Sequence, residues 1–496
     1  MNLFRTKPVD KNPAADTGLR RDLNAFDLTM LGIGAIIGAG IFVLTGISAA
    51  TQSGPAIVLS FVVAGVGCAC AALAYAELAA SIGGCGSAYG YGYAGFGEFP
   101  GWVIGWMLIA EYAIAVSAVS VGWSGYFNTM LQSVGFGLPQ DLLHGPLDAT
   151  PGLINLPAVG LVIALVFLLA SGAKVSARAN EIMVFIKLAA IALFIGVAVF
   201  HINPANWSPF IPPAEVIPGG ATGYSLDMKL IEALAQAFGG GAQAAERFGV
   251  AGIFGGAAII FFAYLGFDAV STSAEETANQ QRDLPVGILG SLVICTVLYI
   301  VVSGLLTGIV SYKELNVPSP VAHALLVIGQ NWAAGMISIG AIAGLTTVCL
   351  VMYYGLTRLL YAIARDGLLP RSLATLSEKS RSPVRIIYVT GAIMVFMSGF
   401  VSLGNLASLT NFATLAAFIV VCGGVILLRR RQPDLPRPFK TPGYPFIPLL
   451  GIVVCGYLML NLSVTTWIAF AVWMSIGLVV YFGYSYSHSV LAEKSS

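Results

Sequence analysis

One feature limits this chain more than any other: a succession of apolar runs, each close to the 20 residues a helix needs to cross a bilayer. The runs cover 27–50, 54–80, 102–131, 155–172, 178–201, 251–275, 286–310, 333–362, 385–401, 405–428, 446–463 and 465–487. Little is left between them to meet water. Only 9% of the 496 residues are charged, and 57% are hydrophobic. A soluble domain carries about 25% charged residues. The reading is an all-α integral membrane protein with twelve transmembrane helices. The composition excludes disorder. A net charge of +1 excludes nucleic-acid binding through a basic face.

Basic residues orient the chain. With the first segment inside, 19 of the 24 Lys and Arg fall in inner segments and three (Lys229, Arg247, Lys313) in outer loops. That bias places both termini in the cytoplasm; the expected location is the cell's inner (plasma) membrane. Residues 1–26 are a polar tail without the apolar core of a cleavable signal peptide. Trp102, Trp207, Trp332 and Trp467 fall near span ends, as interfacial anchors do. The outer loop 202–250 is long and rich in Gly and Pro, with a short amphipathic helix expected from Lys229 to Phe238. A second surface helix is expected within 313–332.

Other chemistries find no support. Six of the seven Cys lie in or beside apolar runs, Cys85 lies in a Gly-rich loop, and none has metal or disulfide spacing. No HExxH, nucleophile elbow or Walker loop occurs, which argues against a zinc protease or an ATP-driven pump. No cofactor is expected.

The first span reads Gly32-Ile33-Gly34-Ala35-Ile36-Ile37-Gly38-Ala39-Gly40. Four Gly in nine residues weaken a helix by about 1 kcal/mol each relative to Ala. Such a run serves close helix packing or a break at mid-membrane, tolerated only beside protein or a water-filled cavity. The sixth span favours the break. There Tyr264-Leu265-Gly266-Phe267-Asp268 puts a Gly and an acid near the middle. Spans 1 and 6 correspond if 27–201 and 251–428 are two five-helix repeats, the second inserted upside down. Paired interruptions at matching positions point to a secondary-transporter site. Half-helix N-termini there would bind a carboxylate, and C-terminal carbonyls an ammonium. That chemistry suits an amino acid.

GIGAIIGAGIF, AELAASIGGCGSAYGYGYAGFGEFPGWVIGW, FFAYLGFDAVS, ARDGLLP and RRRQPDLPRPFKTPGYPFIP occur in this order along the chain. The set resembles the amino acid–polyamine–organocation superfamily, in its bacterial branch similar to cationic amino acid transporters. The resemblance runs from about residue 20 to 487. It implies an inverted 5+5 fold with discontinuous helices 1 and 6, a cytoplasmic basic loop at 429–445, and two added helices in 446–487 before the tail 488–496. It implies that Ile37, Gly38, Ala39 and Gly40 offer amides to a substrate carboxylate. It also implies that the carbonyls of Ile36, Phe262, Ala263 and Leu265 take the amino group. Phe262 matches an aromatic gate, and Met352 a side-chain pocket position. Ala39 departs from the hydroxyl residue often found there in relatives.

Some charges lie inside the spans. Lys187 is nine residues past Arg178, roughly 13.5 Å into a core about 30 Å thick. A Lys there is costly to insert, and an amine so placed suits proton exchange. The alternative is a static ion pair with Glu111, at about the same depth on helix 3. The resemblance favours coupling, because a Lys here is similar to the amine that occupies the sodium site of sodium-driven relatives, with Thr346 and Thr347 nearby. Glu111 has three readings: partner to Lys187, proton carrier, or counter-charge for a cationic substrate. Asp268 would relay a proton, hold the inner gate or cap the inner half-helix. Glu77 is expected to pair with a cytoplasmic base, and Arg358 to reach the interface. Glu275 and Glu276 are expected to face the cytoplasm. The resulting expectation is proton-coupled symport of L-amino acids by alternating access, small or medium neutral ones such as alanine before cationic ones. The rivals are an exchanger without proton coupling and, remotely, a membrane sensor.

Overall fold

The computed structural model describes residues 5, 23–82, 87–133, 135–148, 150–172, 177–216, 228–238, 246–268, 270–271, 277–378, 380 and 382–493. Among them, twelve helices run for twelve residues or more: α1 (Ala25–Ile36), α2 (Ile57–Ile82), α3 (Glu98–Ser133), α4 (Leu156–Ala170), α5 (Ala177–Ala198), α6 (Gly249–Ile260), α7 (Gln280–Ile309), α8 (Asn331–Arg365), α9 (Val384–Phe400), α10 (Leu403–Arg431), α11 (Phe446–Leu460) and α12 (Val464–Val480). Seven helical stretches are long and apolar enough to cross a membrane, and five shorter apolar helices accompany them. Most of the tail 1–26, Cys85, Glu275 and Glu276 lie outside the described residues.

The core forms around α3 and α8, which pack along each other. On one side α10 lies against α3, and on the other α1 is held between α5 and α7. The helix starts follow local chemistry. Asn24 caps α1: its Oδ1 accepts from the amides of Phe26 and Asp27 at 2.8 and 3.2 Å. Asp27 returns the contact by accepting from the Asn24 amide at 2.9 Å, a reciprocal cap that satisfies otherwise orphaned donors. Ser402 and Ser463 cap α10 and α12 in the same manner.

Helices stand at both expected places, Leu230–Ala237 and Pro320–Val327; the first has no buried residue, but Pro320, Val321, Ala322, Ala324 and Leu325 of the second are buried, so it packs into the protein instead of lying on its surface. Strands Glu215–Val216 and Glu246–Arg247 form a small antiparallel pair in the same 202–250 loop as the first. The Gly-rich stretch after α2, expected as a loop, contains a helix at Ser87–Gly95. Gly92 on this helix and Gly101 on α3 permit a very close approach: a Cβ on Gly92 would lie 3.2 Å from the Gly101 Cα, and one on Gly101 2.8 Å from the Tyr93 Cα. Of the expected anchors, Trp332 is exposed and Trp102 departs from expectation. Trp102 is buried, donates to the Gly477 carbonyl at 3.0 Å and stacks on Trp106, so it serves packing of α3 on α12.

Glu77 has the basic partner expected of it. Arg429 grips it with two nitrogens at 2.8 and 2.7 Å, and the Thr441 amide donates to it at 2.8 Å. The basic loop is thereby fastened to the end of α2. Arg358 lies over the Tyr354 ring at 4.3 Å.

Candidate functional site: two helix breaks around a cavity

The first break lies between α1 and a second helical stretch. Ile37 is extended (φ −73°, ψ 101°), and helical geometry resumes at Ala39, opening into a π-turn over Gly40–Leu44. The amides of Gly38, Ala39 and Gly40 open this outer half-helix, where the first N–H groups have no acceptor within the helix. They form its positive pole. Ile37 departs from the expected set, because its amide closes the last turn of α1 on the Ile33 carbonyl at 3.0 Å.

The carbonyls that α1 leaves behind are taken by side chains. Lys187 of α5, fully buried, donates from Nζ to Gly34 at 2.7 Å and to Ile37 at 3.1 Å. The alternative reading, a Lys187–Glu111 ion pair, is not formed: the amine donates to backbone of α1. Where helix 8 meets Lys187, the residue is Gly344, whose added Cβ would lie 3.4 Å from the Lys187 Cβ. Thr346 faces the other way and accepts from the Trp123 indole at 3.0 Å. Thr347 donates to its own helix at Ala343.

At the second break α6 tightens into a 3-10 turn over Phe261–Tyr264. Leu265 is then extended (ψ 140°), and Gly266 takes φ +104°. Only Gly suits that position, since an added Cβ would also lie 2.9 Å from the Ala35 backbone. The change of helix type frees carbonyls on α6. Asn411 of α10 donates to two of them, Ala258 at 2.7 Å and Ile259 at 2.9 Å. The two breaks touch: a Cβ on Gly40 would lie 2.2 Å from the Ala263 Cα.

Between them is a cavity bounded by Ala35, Ile36, Gly38, Ala39 and Gly40 of the first break and by Phe262 and Leu265 of the second. Ala115 and Val119 of α3 and Val348 and Met352 of α8 complete it. Phe262, Leu265 and Met352, named from the sequence, thus line one cavity. Ala263 lies behind it, against Gly40. Ala115, Val119 and Val348 escaped the sequence reading. The signal for them was the four-residue spacing that puts 115 with 119, and 348 with 352, on one helix face. The free volume is about 10 Å³, room for roughly one water. Any larger solute requires Phe262 or a half-helix to move.

One turn from Ala115 on α3 lies Glu111, buried, with Asp268 as its charged neighbour and Thr414 facing it. Asp268 accepts from the Tyr112 hydroxyl at 2.9 Å. In the opposite direction along α3, a cavity of about 670 Å³ is lined by Gly122, Gly125, Asn128, His144, Asp148 and His323, among others. Gly122 also lies against Ala39 and Val43, and Tyr126 donates to the Phe42 carbonyl at 2.6 Å. A thin layer therefore separates this vestibule from the breaks.

An apolar helical bundle in which two interrupted helices meet at a buried cavity has the build of a membrane carrier. Comparison with known proteins agrees. Residues 23–480 match the family model for amino acid permeases. The chain is 46% identical to the branched-chain amino acid permease BcaP of Bacillus subtilis, over 99% of each chain. It is 42% identical to the methylthioribose transporter of the same organism, again over 99% of each. It is 33% identical to the vacuolar cationic amino acid transporter 2 of Arabidopsis thaliana, over 87% of this chain and 64% of that one. The chain belongs to the amino acid permease family of the amino acid–polyamine–organocation superfamily, a family of multi-pass membrane transporters rather than enzymes.

Proposed function

We propose that this protein is a proton-coupled symporter of neutral aliphatic L-amino acids, working by alternating access across the plasma membrane. The observation that carries the reading is the contact of the two breaks around one cavity, with an amide pole at Gly38, Ala39 and Gly40 and carbonyls at Ile36, Ala263 and Leu265; the Phe262 carbonyl, expected in the same set, accepts from the Leu265 amide at 3.3 Å instead. A carboxylate suits the first pole and an ammonium the second. The side-chain wall of Ala115, Val119, Val348 and Met352 is uncharged, which favours aliphatic over cationic cargo. The 46% identity to a branched-chain permease supports the same choice.

Twelve crossings in an inverted 5+5 arrangement, with both termini cytoplasmic, fit the matched clamps. Lys187 comes from the fifth helix to the first break, and Asn411 from the tenth helix to the second. Coupling would reside at Lys187. Protonated, it holds Gly34 and Ile37 firmly; neutral, it donates more weakly and lets the half-helices move. Glu111 and Asp268, on one face beyond Ala115, are the second candidates for carrying protons.

The test is a thermal-shift panel of the twenty amino acids and methylthioribose, followed by uptake into proteoliposomes with an imposed pH gradient. Stabilisation by valine, leucine, isoleucine or alanine and uptake driven by an inward proton gradient are expected. Stabilisation by methylthioribose alone would replace the cargo, and counter-flow indifferent to the gradient would replace symport with exchange.

A further inference from the structure

Tyr299 of α7 is fully buried, packed against Phe61 and Tyr264 with ring centroids 5.4 and 5.6 Å away. Its hydroxyl lies 2.9 Å from the Ile36 carbonyl and 2.8 Å from the Ala263 carbonyl. These carbonyls belong to different breaks, so one side chain ties the two interrupted helices together. A hydroxyl has a single proton. At any moment one of the two carbonyls has Tyr299 within hydrogen-bond distance and receives nothing from it. The hydroxyl oxygen itself keeps acceptor capacity. Among the described residues no other donor reaches these carbonyls, so a cluster of three oxygens shares one hydrogen next to Ile36, a residue that bounds the cavity. Such a cluster is short of donors, and in a dry site that shortage is costly.

We propose that Tyr299 is a positioning residue that aims the Ile36 and Ala263 carbonyls at the cargo's amino group, and that it thereby sets the preference for amino acids over their deaminated analogues. An ammonium brings three N–H donors. It supplies the hydrogens the cluster lacks, whereas the hydroxyl of a 2-hydroxy acid brings only one. This rests on the reading of the cavity as the cargo site. Tyr299 acts through the two carbonyls, and its ring stays behind them.

The experiment compares L-leucine with 2-hydroxy-4-methylpentanoate, which differs only at the amino group, in binding to purified full-length protein and in competition for uptake. With Tyr299→Phe, the apparent affinity for leucine is expected to fall about tenfold or more, while that for the hydroxy acid changes less than about twofold. Equal losses for both ligands, or no loss for either, would overturn the assignment. A second measurement needs no variant: leucine, N-methyl-leucine and N,N-dimethyl-leucine should weaken stepwise on the wild-type protein as N–H donors are removed. A flat series would also overturn it. Absence of any leucine binding by the wild-type protein would remove the cargo reading and this proposal with it. Leucine binding with a flat series or an indifferent Tyr299→Phe would remove the Tyr299 assignment alone.

Discussion

The two breaks solve the same problem with different chemistry. Each interrupts a helix inside an apolar bundle and leaves backbone carbonyls that must find donors. At the first break the donor is an amine, Lys187 on Gly34 and Ile37. At the second it is a carboxamide, Asn411 on Ala258 and Ile259. An amide cannot change its charge near neutral pH, and an amine can. On the proposed reading, the first break is the one whose hold a proton alters, while the second keeps the same donor across that range. Tyr299 joins them.

The comparison fails outright if the clamps are interchangeable. Lys187→Ala should abolish uptake driven by a pH gradient in proteoliposomes; full proton-driven uptake by that variant would end the distinction. Gly266→Ala comes next. It forces a Cβ into left-handed backbone and onto Ala35, and should lower stability by about 2–3 kcal/mol, read as a fall in the unfolding midpoint. An unchanged midpoint would mean that the second break relaxes freely. Asn411→Ala should cost about 1–3 kcal/mol by leaving carbonyls without their donor. Its uptake should keep the wild-type response to the pH gradient, and a lost response would make the second clamp part of coupling. The smallest effect belongs to Met352→Ala. It should admit bulkier side chains with a change in preference of up to about tenfold, in line with the worth of a few methylenes in an apolar pocket. Competition by a series of amino acids measures it, and an unchanged range would take Met352 out of the side-chain wall.

The first break could be read from the chain because it carries local anomalies. Four Gly crowd one span, and a Lys interrupts another. Both are costly in a membrane helix unless something uses them. The partner of Lys187 could not be read in the same way. Depth suggested Glu111, since two charges at one level invite pairing. The amine instead meets backbone, because a broken α1 presents bare carbonyls closer than any carboxylate. Tyr299 and Asn411 left no trace at all. A Tyr or an Asn in an apolar run is common, and only the carbonyls brought against it show what it holds. The helix at Ser87–Gly95 was hidden for a related reason, because its glycines permit packing that only the neighbouring α3 makes worthwhile.

By itself the sequence determined that the chain is helical and membrane-embedded, gave the course of its long apolar helices, and pointed to an interruption in two of them. Hydropathy, charge placement and glycine are local properties, and the bilayer imposes helix on any long apolar segment. The tertiary structure alone decided which donor serves which freed carbonyl, and that the breaks meet at one small cavity. Those facts depend on distances between residues far apart in the chain, from 36 positions for Tyr299 and Ala263 to 263 for Tyr299 and Ile36, which no local pattern encodes.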